Sequence, residues 1–416
     1  MPMYLPIRTA VLAVSLLALV WMAPKALAQD IPRVVPLTAQ PDLKSAVDAA
    51  WRRSPQARTL EAGREEMAAG REAARSWIAG SPALGLVQRS DRWNGRAGAR
   101  ESEISLSAPV WLPGQMATRR IQAEAGADDL EARIAAARLA IAGEVRERLW
   151  AVVAAREALA EAGNRRQYLE AIAEEVLRRV GAGDLARTDG MLARQEALAA
   201  RAAALDAEQR LREALSSYTV LTGLPDIPAA EPEPIAPAMT EPHPRLLAAR
   251  AALMHARAAL DVVDSTRSEP PTLGVALRRE RDGAAAAASS SVTLSLEIPI
   301  GTAARNRPLE TAARTRVESA SAEAAQAEAA LQAEIELARQ RLAASQAALD
   351  AASSRATLAR DHARLIERAF RLGERGLADM LRAQSLLHEA EAAERQQRAA
   401  LGLAHARLNQ ALGIAP

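Results

Sequence analysis

The sequence predicts a mainly α-helical protein with a small β part, built from two copies of a unit of helix, β-hairpin, long helix and returning helix. Three observations predict this fold class. Long segments free of proline carry apolar residues at helical spacing. Two short segments instead alternate apolar and polar residues with the period of two that a strand requires. The same order of features also occurs twice along the 416 residues.

The strand signals are clearest in residues 102–110 and 292–300, where alternate side chains are apolar. The two segments are related, because Pro299 follows Pro109 by 190 positions. Alternation alone leaves two alternatives open: a soluble sheet that packs on helices, or a sheet whose apolar face meets lipid. The residues predicted on the apolar face are Ile104, Leu106, Val110, Val292, Leu294, Leu296 and Ile298.

The first 28 residues have the pattern of a secretory signal peptide. Arg8 precedes an apolar run over residues 10–23, and Ala26 and Ala28 form a small-x-small cleavage site. An uncleaved anchor is the alternative, but the run is shorter than the ~18–20 residues that cross a bilayer. We therefore expect the mature chain to begin near Gln29, outside the cytoplasm.

The amino-acid composition argues against several classes of function. The chain has no cysteine, which excludes disulfides, a thiol nucleophile and a lipidated cysteine. Acidic and basic residues nearly balance, with a formal net charge of +2, and this argues against a nucleic-acid partner. Hydrophobic residues make up 49% of the chain but aromatic residues only 2%. The apolar side chains are therefore mostly small, which suits closely packed long helices better than a large globular core.

The first repeat covers residues 29–224 and contains a very long helix. Residues 115–180 include no proline, and Val145 and Val152 lie seven positions apart, which is the coiled-coil interval. Such a helix is on the order of 100 Å long. The predicted elements are a helix at about 42–78, strands at about 82–90 and 102–110, the long helix at about 115–180, a tip turn at 181–184 and a return helix at 185–222.

A connector rich in Pro and Glu, residues 225–244, precedes the second repeat at 245–416. Gly373 follows Gly183 by 190 positions, and Asp379 follows Asp189 by the same number. Repeats of this length indicate duplication of a whole unit. The predicted elements are strands at about 271–280 and 291–300, a long helix at about 302–372, a tip turn at 373–376 and a return helix at 377–412.

Four short strands in one chain do not close a barrel. An open sheet edge is not tolerated in lipid, because its backbone groups would stay unpaired. Three chains with four strands each would supply a 12-stranded composite barrel with an aqueous lumen. Helices of about 100 Å attached to that barrel would form a hollow α-helical tunnel. The alternative is a soluble periplasmic coiled-coil adaptor or scaffold protein.

The helix-to-helix turns carry a family resemblance. Residues 179–189 and 371–379 both contain an arginine, a hydrophobic residue and a glycine, followed by a leucine and an aspartate. Two copies of this motif, within the duplicated helix–hairpin–helix order, resemble the TolC family of outer-membrane efflux proteins over essentially the whole mature chain. In length and in lacking a lipid attachment, the chain is most similar to members that serve RND heavy-metal and small-molecule efflux.

This resemblance implies a homotrimeric channel-tunnel in the outer membrane, with its helical tunnel in the periplasm. The tunnel would passively conduct substrate exported by an inner-membrane pump, of RND type, through a periplasmic adaptor (a membrane fusion protein). Asp379, Arg382 and Asp189 would lie at the periplasmic aperture. The adaptor would dock on Val180, Gly181, Gly183, Leu185, Leu372, Gly373, Gly376 and Leu377.

The tip residues also have purely structural interpretations. The four glycines are expected to supply the left-handed conformations that a turn between helices requires. The hydrophobic tip residues fit helix-end packing as well as docking. Asp379 fits a solvated helix face or an N-cap as well as a gate. Arg382 stands where some family members carry a second acidic residue, which argues against a purely acidic ring.

We predict no enzyme activity and no catalytic, cofactor-binding or metal-binding residues. The sequence contains no Gly-rich phosphate loop and no nucleophile elbow. The histidines are scattered without a His-x-x-x-His spacing. They are His243, His255, His362, His388 and His405.

Overall fold

The computed structural model describes residues 42–91, 98–229, 231–235 and 242–416. The predicted signal peptide at 1–28 and the expected mature start at Gln29 lie outside these residues. Within them, the elements follow the predicted order. They are α1 (Leu43–Arg53), α2 (Pro55–Ala74), β1 (Ala83–Ser90), β2 (Arg100–Pro109), α3 (Gln115–Ala182), α4 (Arg187–Thr222), α5 (Pro244–Ser265), β3 (Thr272–Arg281), β4 (Ser289–Glu297), α6 (Ala303–Arg371) and α7 (Leu377–Ala411).

The helix predicted over 42–78 is instead two helices that meet at Ser54. Ser54 has an extended backbone, and its hydroxyl caps α2 by accepting a hydrogen bond from the Ala57 N–H at 3.3 Å. Pro55 occupies the first position of α2. A residue before proline is driven away from the helical conformation, and proline at the first helical position has no N–H to lose. The sequence Ser-Pro therefore ends one helix and starts the next.

The strands form one antiparallel sheet in the order β1-β2-β3-β4. The helices beside the sheet follow the same order, because α3 contacts α2 and α5, and α5 contacts α6. Farther from the sheet the order is α4-α3-α7-α6. Each level of the chain is thus a layer four elements wide, with α1 packed against α2, α3 and α4. Most domains bury their apolar surface between two such layers.

The helices are held together by small and branched side chains. Val145 and Val152, predicted from their heptad spacing, are both fully buried in the cluster formed by α1, α2, α3 and α4. A second cluster, at the end of the helices remote from the sheet, joins Val176 of α3 to Leu377 and Met380 of α7. The contact between α3 and α7 therefore joins the two repeats.

Close approach of these two helices depends on one glycine. Gly402 of α7 faces the indole of Trp150 on α3, and a Cβ added at Gly402 would overlap the ring. Trp150 itself is buried.

None of the helices in the described part of the chain combines the length and the apolar character that a bilayer-crossing helix needs.

Candidate functional site

One face of the sheet is an exposed apolar surface. In each strand, alternate residues point to this face, and the strand register aligns them into rows across all four strands. Large hydrophobic side chains on this face are 43–79% exposed, far more than a sheet packed on helices would allow. The two central rows are Leu84, Leu106, Val275 and Leu294, and Leu86, Ile104, Leu277 and Val292.

This apolar face ends in a polar margin near the hairpin loops. The next row on the same face consists of Gln88, Ser102, Arg279 and Ser290. At the other end, Leu296 and Ile298 are exposed, although Ile298 lies just beyond β4 because that strand ends at Glu297. Val110 differs from this pattern, because it is half-buried beyond β2 and bridges to Ile78. The sequence thus identified the face, and Val110 lies at its helical boundary.

The opposite face of the sheet is mostly polar, and its neighbouring strands approach closely at two glycines. Arg278 forms ion pairs with Glu101 at 3.0 Å and Glu280 at 2.9 Å. Gly85 and Gly274 lie on this face, and a Cβ at either position would collide with a serine hydroxyl of the neighbouring strand. Glycine in a strand interior marks a bend at which backbones approach closely, as at the corners of barrels.

Among the residues that the structure describes, each of the two outer strands is hydrogen-bonded to another strand along one side only. In the sheet order, β1 pairs with β2 alone and β4 pairs with β3 alone. Residues of β4 are exposed along its whole length. An exposed strand edge is a template for pairing with another chain.

The outer helices also present unpaired apolar stripes. Within the chain, α4 packs on α3 and α1, and α6 packs on α7 and α5, so these helices lie at opposite margins of the layer. Every seventh residue forms an exposed stripe on each. On α4 the stripe is Met191, Leu198 and Leu205, and on α6 it is Leu358 and Leu365. Leu372 follows at the same interval but lies beyond Arg371, where α6 ends.

Both helix tips end in the same turn. After α3, the N–H groups of Gly183 and Asp184 donate hydrogen bonds to the carbonyls of Val180 and Arg179. After α6, the N–H groups of Gly373 and Glu374 donate to the carbonyls of Phe370 and Ala369 in the same pattern. These paired bonds form the Schellman motif, which needs a left-handed residue. Of the four predicted glycines, only Gly183 (φ 90°) and Gly373 (φ 79°) are left-handed.

The other two tip glycines are a correction to the prediction. Gly181 remains helical, because α3 continues to Ala182. Gly376 has an extended backbone (φ −79°, ψ 162°) and is the N-cap of α7. Each turn therefore requires one left-handed glycine, since a single such residue already redirects the chain. The return helix of the first repeat begins at Arg187 rather than 185.

The hydrophobic tip residues differ in exposure. Leu372 is 65% exposed, whereas Leu377 is 3% exposed and packs in the cluster with Val176 and Met380. Val180 and Leu185 are half-buried against the same cluster. This arrangement favours helix packing for Leu377 and leaves Leu372 available to a partner.

Asp189 and Asp379 occupy the same position in the two repeats. Each lies in the first turn of its return helix, three residues after the N-cap. Carboxylates are stabilised there by the positive end of the helix dipole. Asp379 is an exposed residue that pairs with Arg375 at 3.7 Å, and Arg382 lies exposed almost one turn further along α7.

Two polar clusters were not predicted from the sequence. Arg146, buried on α3, binds Glu233 of the connector through two hydrogen bonds of 2.8 and 2.7 Å. The second cluster joins Glu161 of α3 to His388 and Glu391 of α7. The spacing of His388 and Glu391, which puts both on one helix face, was the available signal.

Comparison with known proteins shows which family and which solved structures this architecture resembles. Residues 238–414 match the family model described as Outer membrane efflux protein. The second repeat is thus similar to an outer membrane efflux protein domain. No curated protein sequence matches the chain. The matched segment begins in the connector and ends two residues before the C-terminus, so it includes β3, β4, the α6 stripe and the second tip.

Solved structures extend the likeness to both repeats. A membrane protein from Pseudomonas aeruginosa is 20% identical over 90% of each chain, with a TM-score of 0.74. The outer membrane protein VceC from Vibrio cholerae is 17% identical, covering 90% of this chain and 96% of its own, with a TM-score of 0.72. The Campylobacter jejuni CmeC outer membrane channel is 14% identical, covering 90% of this chain and 86% of its own, with a TM-score of 0.74. These findings confirm the predicted fold class and the resemblance to TolC-like channels.

Proposed function

We propose that this protein is the outer-membrane channel-tunnel of a tripartite efflux system and that it acts as a homotrimer. One observation carries the proposal: both sides of the chain's single layer expose surfaces that could pair with another copy. These surfaces are the outer strand edges in the sheet and the apolar stripes on α4 and α6. A head-to-tail contact between copies satisfies all of these margins together, and it closes into a ring when the rotation per copy is one third of a turn.

At the level of the sheet, the free edge of β4 pairs with the free edge of β1 in the next copy. Three chains then give 12 strands and a barrel with an aqueous lumen. The exposed rows of leucine, valine and isoleucine face lipid, while Arg278 and its two carboxylate partners face the lumen. Closure also removes every edge, which a structure within a bilayer requires.

At the level of the helices, the α4 stripe of one copy packs against the α6 stripe of the next. Leucines repeated every seven residues form the seam of a coiled coil. In one chain these side chains meet solvent, with Leu198 59% exposed and Leu365 64% exposed. Their burial between copies gives a closed wall of helices around a hollow core.

The helix tips supply the partner contacts in this proposal. Leu372 and Gly373 at the second tip, with Val180, Gly183 and Leu185 at the first, form the docking surface for a periplasmic adaptor. Gly181, Gly376 and the buried Leu377 shape and support that surface. An inner-membrane pump, of RND type, supplies the energy, and the duct itself conducts passively.

The aperture lies at the second tip. Three copies of Asp379, each beside Arg375 and Arg382, surround the threefold axis there, with Asp189 at the matching position of the first tip. Ion pairs between the aspartates and arginines of this ring would hold the aperture narrow. A ring of acidic residues alone would instead attract and select cations. A soluble coiled-coil adaptor or scaffold is not favoured, because it leaves the exposed apolar sheet face without a role.

The first test is fractionation followed by gel electrophoresis without heating. We expect the mature chain in the outer-membrane fraction, as a detergent-resistant band at three times the monomer mass. Recovery as a soluble periplasmic species would overturn the proposal in favour of the scaffold.

The seam is tested by disulfide formation, for which the natural chain offers a background without cysteine. Leu198→Cys is combined in turn with cysteine at Leu358 or Leu365. We expect oxidation to link chains into covalent trimers for the α6 position level with Leu198. The matched control is Ala199→Cys, which lies one residue along and about 100° around the helix. Equal linkage by the control would refute the seam.

Docking is tested at the two leucines of the second tip. Leu372→Asp should impair efflux while the amount of trimer stays normal, because the side chain is exposed. Leu377→Asp should instead lower the amount of trimer, because it places a charge in the cluster with Val176 and Met380. Normal efflux with Leu372→Asp would remove this residue from the docking surface.

A further inference from the structure

A histidine and two glutamates meet where α3 contacts α7. His388 and Glu391 are three residues apart on α7 and therefore share a face of that helix. Glu161 approaches from α3. One ligand atom from each of the three side chains lies within 4.8 Å of the other two. The group thus joins the first repeat to the second.

Two atoms in this group are buried without a hydrogen-bond partner. They are Nε2 of His388 and Oε2 of Glu161. The side chain of Glu161 is 6% exposed and that of His388 is 11% exposed. A buried polar atom without a partner costs free energy, so such atoms call for an explanation. A cation bound by Glu161 would supply Oε2 with the missing partner.

The remaining contacts prepare His388 to act as a ligand. Its Nδ1 lies 2.8 Å from Oε1 of Glu161. Nδ1 and this carboxylate therefore face the same space, and a cation placed there would replace the hydrogen that the two atoms share. Nδ1 of His388 and the carboxylate of Glu161 would then both be ligands.

Two arginines contact the carboxylates of this cluster. Arg360 binds Glu391 at 2.8 Å through Oε1, and Arg395 lies 3.2 Å from Glu157 and 3.6 Å from Oε2 of Glu161. In these contacts three carboxylates share two guanidinium groups. The contact of 3.6 Å is too long for a good hydrogen bond. Both bonds from Arg360 go to the same oxygen of Glu391, so the other oxygen can turn to a cation.

We propose that Glu161, His388 and Glu391 bind a divalent transition-metal cation of the Zn²⁺ class. One imidazole and two carboxylates form a donor set that zinc accepts, with a fourth position for water. Ligand atoms around one Zn²⁺ lie about 3.4 Å apart, so small side-chain rotations bring the three donors into place. The bound ion would tie α3 to α7 across the contact between the repeats. The proposal does not rest on the channel function, because it concerns contacts within one chain.

The test uses the purified full-length protein in detergent, stripped of metal with a chelator. Titration with Zn²⁺ alone should show one ion bound per chain. Co²⁺ should compete with Zn²⁺ and give the visible absorption of a site with nitrogen and oxygen ligands. We expect His388→Gln and Glu391→Gln each to weaken Zn²⁺ binding at least tenfold. Unheated gels establish that every variant assembles like the wild type.

The matched control is His362→Gln, because His362 is an exposed histidine on α6 that lies outside this cluster. It should leave the stoichiometry and affinity unchanged. A second readout is thermal stability: Zn²⁺ should raise the Tm of the wild type and of His362→Gln but not of Glu391→Gln. Absence of Zn²⁺ binding by the wild type, or unchanged binding by His388→Gln, would overturn the proposal.

Discussion

The buried pair of Arg146 and Glu233 anchors the connector between the repeats. Nε and Nη2 of Arg146 donate to the two carboxylate oxygens of Glu233 at 2.8 and 2.7 Å, and Nη1 donates to Gln410 at 2.7 Å. The side chain of Arg146 is 2% exposed. Glu233→Gln would leave the guanidinium charge buried beside a neutral amide.

The expected loss of stability in Glu233→Gln follows from the burial of the Arg146 side chain. Removing one partner of a buried ion pair costs about 3–5 kcal/mol, because the remaining charge stays desolvated. The entropy of unfolding for a chain of this length is on the order of 0.8 kcal mol⁻¹ K⁻¹. Glu233→Gln should therefore lower the Tm by about 4–6 °C. Replacing both residues by methionine should recover much of this loss, because it removes both charges together.

The chain contains a matched control for this experiment. Arg64 binds Glu131 through the same donor and acceptor atoms, at 2.7 and 2.9 Å, but the two side chains are 48% and 56% exposed. Exposed pairs contribute about 0–1 kcal/mol, so Glu131→Gln should lower the Tm by at most about 1 °C. The assay is thermal unfolding of the detergent-solubilised protein, followed by circular dichroism. Equal shifts for Glu233→Gln and Glu131→Gln would refute the argument from burial.

Three further predictions concern other parts of the molecule. Gly402→Ala should lower stability by about 1–3 kcal/mol, measured by the same melting assay, because the added Cβ meets the Trp150 ring. Burial raises the pKa of both Tyr168 and Tyr218 to about 12. Tyrosinate absorbance should therefore stay low in the folded protein up to about pH 11, and stability should fall as pH rises from about 10 to 12, because only the unfolded chain loses these protons. Asp379→Ala should increase single-channel conductance in planar bilayers, and unchanged conductance would count against the aperture.

The sequence predicted those features that are written in local patterns. Heptad spacing identified the burial of Val145 and Val152, and alternation identified the exposed face of β4. The break at Ser54 was missed although its signal was present, since Ser followed by Pro is a typical helix start. Both left-handed glycines were among the four predicted, but glycine alone does not say which position ends the helix.

The polar clusters could not be predicted in the same way. Arg146 and Glu233 are 87 positions apart, and Glu161 and His388 are 227 positions apart. Their meeting depends on the side-by-side alignment of two long helices and on the path of the connector. A shift of one residue in either helix rotates a side chain by about 100° and would separate these groups. Charge and periodicity are unchanged by such a shift, so they carry no information about it.

Helix α6 has a consequence for biogenesis. Of its 69 residues, five are buried within the chain: Ala313, Leu331, Ala338, Ala356 and Ala363. Most helical stability in proteins comes from packing, so in the proposed trimer a helix with so little burial would gain most of its stability from a neighbouring copy. Folding and assembly of this helix would then be one concentration-dependent event. Newly exported chains would be cleaved by proteases first along α6, and the lifetime of a lone chain would set the time available to find its partners.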